Sequence, residues 1–227
     1  MSSVLFNEHA TQDGHTVGEI VLNAERSLKA LTLEMIDAMR PRLATWAETP
    51  SVVAIVMRGA GEKAFCAGGD VVSLYKSITD DDDPDFPERF FTHEYQLDFE
   101  LHTYPKPIIC WGSGIVMGGG MGLLSACSHR VATETSRLAM PEVTIGLYPD
   151  VGASWFLNRL PVGTGRFLAM TGSPVNAVDA VHLGLADRAI ASRQFEALMN
   201  SLTQAAWQEG AAIDALGVVN RTLRELE

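Results

Sequence analysis

The sequence contains few cysteines and few basic residues, and each shortage excludes a class of protein. Its 227 residues include three cysteines, Cys66, Cys110 and Cys127, without metal-ligand spacing. An odd cysteine count argues against a disulfide framework, so we expect a reducing, cytoplasmic location. Seventeen lysines and arginines stand against 28 acidic residues, which gives a net charge of −11. Nucleic-acid binding needs a basic surface and is therefore not expected.

Targeting and membrane-spanning segments are also not predicted. Residues 1–8 lack a basic region followed by a long apolar stretch, so no secretory signal is expected. Residues 107–128 carry no charge and are numerous enough to cross a bilayer. Six glycines, one proline and three serines interrupt them, however. A buried strand, a turn and a helix start explain this segment better, and no membrane association is expected.

Several common catalytic motifs are missing from the sequence. No segment matches the dinucleotide fingerprint, a P-loop or a serine nucleophile elbow. His93, His102 and His129 lack metal-binding spacing, and the acidic run 80–85 is interpreted as a solvated loop because like charges repel. No metal site is predicted. Cys66 lies beside a glycine turn, but free cysteine is commonly a small buried apolar residue, and we interpret it so.

What the sequence does contain is an alternation of strand and helix patterns. Three β-branched or apolar runs predict strands: 17–22, 52–57 and 107–111. Residues 33–46 carry apolar side chains at helical spacing, with Thr32 as a candidate cap. Strands alternating with helices predict an α/β fold with crossover connections. We place a βαβ core over residues 1–190 and a helical segment over residues 191–227.

Two glycine-rich turns, fifty positions apart, each follow a predicted strand. The first is Ala67-Gly68-Gly69-Asp70, and the second is the glycine triplet 118–120. Because glycine has no Cβ, its backbone N–H can approach a bound group closely. Two such donors, brought together by a fold, can hold an oxygen that becomes negative during a reaction. Each turn alone is equally compatible with a structural role.

A further segment, residues 140–150, places two acids in an otherwise apolar run that contains two prolines. A carboxyl group in apolar surroundings tends to gain pKa, which suits acid–base chemistry near neutral pH. Glu142 and Asp150 are also placed where they would cap following helices. The residues alone leave both interpretations open.

Together these segments resemble the crotonase (enoyl-CoA hydratase/isomerase) superfamily over essentially the whole chain. The matching segments are LN at 22–23, ALTLEMI at 30–36, AFCAGGD at 64–70, GIVMGGGMG at 114–122, MPEVTIGLYPD at 140–150 and LAMTG at 168–172. The resemblance implies a crotonase-like stack of βαβ units with a helical carboxyl-terminal part. It also implies an acyl-CoA substrate, no cofactor apart from the coenzyme A of that substrate, and a homo-oligomer, either a trimer or a dimer of trimers.

The resemblance also implies roles for individual residues. The backbone N–H groups of Gly69 and Gly119 would hold the thioester oxygen. Arg26 stands where the family often has a basic residue near the CoA phosphates, and Lys29 replaces a common asparagine. The positions expected to bind substrate are Ala67, Asp70, Glu94, Gly118 and Arg26.

The acidic residues determine which reaction the resemblance implies. Hydratases of this family usually carry one glutamate two positions after the glycine triplet and another in the later motif. Here the first position is Gly122, whereas the second is Glu142. With Asp150 and Glu94, this set resembles the 3-hydroxyisobutyryl-CoA hydrolase branch, which the resemblance assigns to valine catabolism. We expect thioester hydrolysis, with Glu142 as nucleophile or general base, Asp150 orienting water or the carboxylate, and Glu94 binding the substrate hydroxyl.

Two other functions stay open. One is a hydratase or isomerase that uses Glu142 as its main acid–base group, and the other is a catalytically weak CoA-binding or assembly module. Members of the hydrolase branch usually extend further than Glu227. We therefore expect this chain to be shortened relative to the family or to be a fragment.

Overall fold

The structure is a computed structural model that describes residues 2–80, 83–207 and 212–227. Within these residues it contains nine strands and nine α-helices. The strands are β1 (Val4–Ala10), β2 (Thr16–Leu22), β3 (Val52–Gly59), β4 (Ala64–Cys66), β5 (Ile108–Gly112), β6 (Ile115–Met117), β7 (His129–Ala132), β8 (Arg137–Ala139) and β9 (Arg188–Ala189). The α-helices are α1 (Leu33–Glu48), α2 (Val71–Thr79), α3 (Phe86–His102), α4 (Gly119–Ala126), α5 (Ala153–Phe156), α6 (Thr164–Thr171), α7 (Ala177–Leu183), α8 (Phe195–Gln204) and α9 (Ala212–Leu226). Short 3₁₀ turns cover Glu25–Ser27, Glu142–Ile145, Leu157–Arg159 and Ser192–Gln194.

The strands form two sheets. The larger has six strands in the order β1-β2-β3-β5-β7-β9, and the smaller has three in the order β4-β6-β8. β1 pairs antiparallel with β2, whereas every other pairing between these strands is parallel. Parallel neighbours need crossover connections, which are helical in most βαβ units. The predicted α/β fold with crossover connections is therefore confirmed.

Helices cover both faces of the larger sheet because side chains alternate along each strand. On β3, Ile55 and Met57 belong to one hydrophobic cluster, which includes the buried face of α1. Ala54 and Val56 belong to a second cluster, which includes buried residues of α8 and α9. The segment 191–227 thus packs against the core sheet, and the division at residue 190 stays a prediction.

Helix starts coincide with capping side chains at three places. Thr32 Oγ1 accepts a hydrogen bond of 3.2 Å from the Met35 N–H at the start of α1, which confirms the predicted cap. Asn176 Oδ1 accepts one from the Asp179 N–H at 2.9 Å at the start of α7. The third cap, Asp70 on α2, lies beside the candidate site. Such caps satisfy N–H groups that the helix itself leaves unpaired.

The smaller sheet positions the two glycine turns. The first turn follows β4 and leads into α2, and the second follows β6 and leads into α4. β4 and β6 are parallel neighbours, with Ala64 opposite Ile115 and Cys66 opposite Val116. Because neighbouring parallel strands end at the same edge of a sheet, the two turns lie side by side.

The described residues contain neither a membrane-spanning helix nor a cluster of metal-ligating side chains. None of their helices has the length and apolar composition needed to cross a bilayer. In the same part of the chain, no group of three or more His, Cys, Asp or Glu side chains is arranged to hold a metal ion. Residues 81 and 82 of the acidic run lie outside the described residues.

Candidate active site

The two glycine turns present backbone N–H groups that donate no hydrogen bond within the described ranges. They include those of Gly69 and Gly119. On either side of the first, the Leu31 N–H donates to Gly68 O at 2.7 Å and the Asp70 N–H donates to Leu31 O at 2.9 Å. Alternation along an extended chain then turns the Gly69 N–H toward the opposite side. A Cβ placed on Gly119 would lie 3.3 Å from Gly69 N, so the two donors are close neighbours.

Glycine is required in the second turn for steric reasons. Gly118 has a φ of 50°, in the region that side chains disfavour, and a Cβ there would lie 2.9 Å from Glu142 Oε1. A Cβ on Gly119 would overlap Glu94 Oε1. Gly119 is also the first residue of α4, where unpaired N–H groups and the helix dipole favour a negative group. Glycine at these two positions therefore leaves space beside the Gly119 N–H that a side chain would fill.

These donors lie at a cavity of about 210 Å³. All predicted site residues except Asp70 and Arg26 line it, namely Ala67, Gly69, Glu94, Gly118, Gly119, Glu142 and Asp150. Apolar side chains complete the walls, namely Val71, Leu74, Phe90, Phe91, Ile145 and Leu147. The fold thus gathers residues from four separate segments around one space. Its apolar walls strengthen electrostatic interactions inside it.

Asp70 and Arg26 lie outside this cavity. Asp70 caps α2, because its Oδ1 accepts from the Ser73 N–H at 3.1 Å and its Oδ2 accepts from Ser73 Oγ at 2.6 Å. Arg26 is exposed in the 3₁₀ turn Glu25–Ser27. That turn is tied to the first glycine turn, since the Ala67 N–H donates to Leu28 O at 3.1 Å. The expected substrate contacts of Asp70 and Arg26 stay predictions.

Glu142 is buried at the start of the 3₁₀ turn Glu142–Ile145, with 7% of its surface exposed. The N-cap of this turn is Pro141, and Glu142 Oε2 is buried without a partner in the described chain. Burial raises the pKa of Glu142 to about 7, and the charge of Asp150 adds to that rise. The capping alternative is therefore not supported. A carboxyl group that titrates near neutral pH suits proton transfer.

Glu94 lies on the buried face of α3 and is 2% exposed. Its Oε1 would be 3.9 Å from a Cβ on Gly69, and it also borders Gly119. Burial raises the pKa of Glu94 to about 8, with further contributions from the charges of Asp150 and Glu142. Glu94 therefore holds its proton at neutral pH and can donate a hydrogen bond next to the two N–H groups.

Asp150 is held by a residue that the sequence did not single out. Tyr95 Oη, on α3, donates a hydrogen bond of 2.8 Å to Asp150 Oδ2. The backbone carbonyl of Asp150 accepts from the Ala153 N–H at 2.7 Å, while the cap of α5 is Gly152. The Asp150 side chain therefore lines the cavity and does not cap α5. Tyr95 follows Glu94 directly, but no local pattern marks a contact 55 positions away.

Cys66 is buried below the first glycine turn. Burial raises the pKa of the Cys66 thiol to about 12. The thiolate, which is the nucleophilic form, is therefore scarce at neutral pH. This supports the interpretation of Cys66 as a small apolar residue of the core.

Comparison with known proteins decides the family. A sequence profile described as Enoyl-CoA hydratase/isomerase matches residues 17–226. The chain belongs to this family. Its structural neighbours include an enoyl-CoA hydratase from Rhodobacter sphaeroides 2.4.1, at TM-score 0.83 and 33% identity, covering 97% of this chain and 66% of that one. A carnitinyl-CoA dehydratase from Mycobacterium thermoresistibile has TM-score 0.83 at 34% identity with the same coverage. The crotonase-like fold expected from the sequence is confirmed.

Curated relatives of this enoyl-CoA hydratase/isomerase family member carry two kinds of name. The mitochondrial 3-hydroxyisobutyryl-CoA hydrolase of Danio rerio is 40% identical over 202 residues, covering 89% of this chain and 52% of the relative. The small ribosomal subunit protein mS47 of Neurospora crassa is 36% identical over 226 residues, covering 98% of this chain and 43% of the relative. The chain thus spans about half the length of the curated relatives it matches.

Hydratases of the enoyl-CoA hydratase/isomerase family usually carry a second glutamate where this chain has Gly122. Here Val151 and Asp98 already occupy the space that a side chain at position 122 would enter. A Cβ on Gly122 would lie 2.7 Å from Val151 Cβ and 2.8 Å from Asp98 Oδ2. Val151 has a φ of 41°, which is uncommon for a β-branched residue. Local strain of this kind persists when the surrounding structure over-determines it. A glutamate at position 122 would therefore require movement of Val151, next to Asp150.

The arrangement can perform carbonyl chemistry with proton transfer. Two N–H groups are placed to bind an oxyanion, and Glu142 can act as carboxylate or as acid near pH 7. Glu94 supplies a protonated carboxyl and Asp150 a carboxyl fixed by Tyr95. These parts suit a carbonyl compound whose oxygen becomes negative on attack.

Proposed function

We propose that the protein hydrolyses a small acyl-CoA thioester, with 3-hydroxyisobutyryl-CoA as substrate and a role in valine catabolism. The observation that carries this proposal is the convergence of two unpaired N–H groups with Glu94, Glu142 and Asp150 around a cavity of about 210 Å³. Relatives named 3-hydroxyisobutyryl-CoA hydrolase, at 38–40% identity, support the same substrate.

The first step places the thioester oxygen between Gly69 N and Gly119 N. Negative charge develops on this oxygen as the carbonyl carbon becomes tetrahedral. Each donor of this kind typically contributes ~2.7–4 kcal/mol to transition-state stabilisation. The position of Gly119 at the start of α4 adds a favourable dipole.

Glu142 then breaks the thioester by one of two routes. As a nucleophile, its carboxylate forms a bond to the carbonyl carbon while the carbon–sulfur bond breaks, leaving a mixed anhydride and a CoA thiolate that takes a proton. Water then cleaves the anhydride and restores the carboxylate. As a general base, Glu142 takes a proton from water, the water oxygen bonds to the carbonyl carbon, and that proton passes to the departing thiolate. Both routes give a free acid and a free thiol.

Glu94 and Asp150 position the other reactants. Glu94, with a pKa of about 8, offers an O–H to the 3-hydroxyl oxygen of the acyl group. Asp150, held through Oδ2 by Tyr95, orients the attacking water or the carboxylate of Glu142. Arg26, exposed on the turn beside Ala67, is available to the CoA phosphates. Proximity and orientation of this kind are a large part of enzymatic rate enhancement.

The test is to measure thiol release from 3-hydroxyisobutyryl-CoA and hydration of crotonyl-CoA with the purified protein. Free CoA from the first substrate, without loss of the enoyl group from the second, is the expected result. Hydration of crotonyl-CoA alone would overturn the proposal. Glu142→Gln should abolish thiol release and keep CoA binding, whereas Glu225→Gln, which neutralises an exposed acid on α9, should change neither.

Two other functions keep specific support. The structural likeness to an enoyl-CoA hydratase favours hydration with Glu142 as the main acid–base group, although Gly122 offers no second acid. The relative named small ribosomal subunit protein mS47 favours an assembly role. Binding of CoA without turnover of either substrate would support that second candidate. The homo-oligomeric state and the cytoplasmic location stay predictions.

A further inference from the structure

A second cavity, of about 480 Å³, meets the catalytic cavity at Asp150. Among the described residues, Asp150 alone lines both spaces. Each space has α3 on one side and the chain after Glu142 on the other, namely residues 144–150 for the catalytic cavity and 148–156 for the second. The two cavities are therefore neighbouring parts of the space between α3 and this chain segment. The hydrolysis described above uses no part of the second cavity except the Tyr95–Asp150 pair.

Tyr95 lies at the boundary between the two cavities. Phe91, Tyr95 and Phe99 follow one another at four-residue intervals on α3, so they share one face and are spaced about 6 Å apart along the helix axis. Phe91 lines the catalytic cavity, whereas Tyr95 and Phe99 line the second. The centroids of the Phe91 and Tyr95 rings are 5.9 Å apart, so the two rings are direct neighbours. Tyr95 is therefore the first side chain beyond the catalytic cavity on this face of α3.

Tyr95 also connects α3 to the opposite wall. Its Oη donates a hydrogen bond of 2.8 Å to Asp150 Oδ2. The backbone of Asp150 is itself held, because its carbonyl accepts a hydrogen bond of 2.7 Å from the Ala153 N–H. The tyrosine ring and the Asp150 carboxyl thus form a bridge across the space where the two cavities meet. An acyl chain that extends from the catalytic cavity toward the second cavity meets this bridge.

The walls of the second cavity are mainly apolar and suit a hydrocarbon chain. Its aromatic lining residues are Tyr95, Phe99, Tyr148, Trp155 and Phe156. Asp98 and Ser125 also border it, but both carboxyl oxygens of Asp98 and the hydroxyl oxygen of Ser125 are enclosed by protein. These two side chains therefore present no polar atom to the space. Phe99 is 67% exposed and Tyr148 is 71% exposed, so a chain lying against them would remove apolar surface from water.

We propose that Tyr95 determines the acyl-chain specificity of the protein, because its ring closes the catalytic cavity against long straight chains. The inference rests on the proposed function, since it takes an acyl-CoA thioester as the ligand. With Tyr95 in place, the acyl group is confined to the cavity of about 210 Å³. A longer chain has to displace the ring, which breaks the hydrogen bond to Asp150 and disturbs the carboxyl that orients water. Long chains are thus disfavoured both in binding and in turnover.

The test is isothermal titration with S-(2-oxobutyl)-CoA and S-(2-oxooctyl)-CoA, a short and a long analogue. In both, a methylene group separates the sulfur from the carbonyl carbon, so neither is hydrolysed. Tyr95→Ala should bind the long analogue about tenfold more tightly than the wild type does, because the four extra methylene groups reach the apolar second cavity. Its affinity for the short analogue should be unchanged. Tyr95→Phe, which keeps the ring, should show no gain, and a gain equal to that of Tyr95→Ala would contradict closure by the ring.

Further variants locate the chain and separate the two proposals. Phe99→Glu, added to Tyr95→Ala, places a charge in the second cavity and should abolish the gain, whereas Glu225→Gln should leave it unchanged. Tyr95 is 40% exposed, so its truncation opens no closed core cavity, and Tyr95→Leu decides the matter if Tyr95→Ala does not fold. Binding of the short analogue without a gain for the long one would refute the role of Tyr95 alone. Failure of both analogues to bind any variant would refute the proposed function as well.

Discussion

Replacing Glu94 by glutamine should stabilise the protein at alkaline pH and leave its stability at acidic pH nearly unchanged. In the folded protein the pKa of Glu94 is raised from 4.5 to about 8, chiefly by burial. Below pH 4.5 the carboxyl is protonated in both the folded and the unfolded chain. Above that pH the unfolded chain loses the proton and the folded chain keeps it. The contribution of Glu94 to stability is therefore complete below about pH 4.5 and is lost as the pH rises through about 8.

The size of the effect follows from the two pKa values. At about 1.4 kcal/mol for each pKa unit, the change from 4.5 to about 8 sets an upper value of ~5 kcal/mol. Local relaxation and water entry reduce this value, so we expect Glu94→Gln to exceed the wild type by ~2–4 kcal/mol at pH 9. That gain is a large part of the ~5–15 kcal/mol that stabilises an ordinary domain. Glutamine has the shape of the protonated acid and stays neutral at every pH.

Urea denaturation followed by circular dichroism at pH 5, 7 and 9 measures the difference directly. Comparing each variant with the wild type at the same pH cancels the effects of the other titrating groups. Glu225→Gln serves as the control, because its exposed carboxyl should give a small difference that does not change with pH. A Glu94→Gln difference that is equal at pH 5 and pH 9 would refute the burial of an acid with a raised pKa.

Four further variants test the site and the fold. Tyr95→Phe removes the donor to Asp150 Oδ2, and we expect kcat for thiol release to fall about tenfold to a hundredfold with little change in KM; a KM effect alone would contradict the positioning role. Gly119→Ala places a methyl group against the end of the Glu94 side chain, so steady-state assays should show at least ~100-fold lower kcat while the thermal unfolding curve stays cooperative. Gly120→Ala instead meets the backbone carbonyl of Cys66, which cannot move aside, and the same unfolding curve should shift markedly downward. Thr32→Ala removes the cap of α1 and should cost ~1 kcal/mol in urea denaturation without altering kcat.

Long elements with a regular pattern were predictable from the sequence. The apolar spacing predicts helix α1 because the helix buries one apolar stripe against the core. It predicts strand β3 because the strand is a short apolar run that is buried on both faces. Strands β4 and β6 contain three residues each, which is too short for a period to be seen. Strand β1 was not predicted because it lies at the edge of the sheet, where most of its side chains are not buried. Pairing with β2, and not burial, makes it a strand.

The candidate site was predictable where its geometry is local. The glycine turns expose N–H groups because of their own backbone conformation, and that property is encoded within a few residues. The pairing of Tyr95 with Asp150 joins positions 55 residues apart and depends on how α3 packs. For Asp70 the contact is local, but the sequence allows two partners, because a carboxylate beside a glycine turn could contact either the substrate or the following helix. In the structure both carboxylate oxygens accept hydrogen bonds from Ser73 on that helix, one from its N–H and one from its hydroxyl.

The contrast between paired and unpaired acids supports a chemical role for the site. Several acids outside the cavity pair with arginines, as in Glu100 with Arg40 at 2.6 Å and Asp187 with Arg130 at 2.5 Å. Glu94, Glu142 and Asp150 share one apolar cavity and, in the described part of the chain, have no lysine or arginine in ion-pair contact. Stability alone would favour glutamine at the two buried positions, as the pH argument for Glu94 requires. An acid kept where it weakens the fold at neutral and alkaline pH is best explained by a reaction that needs its proton.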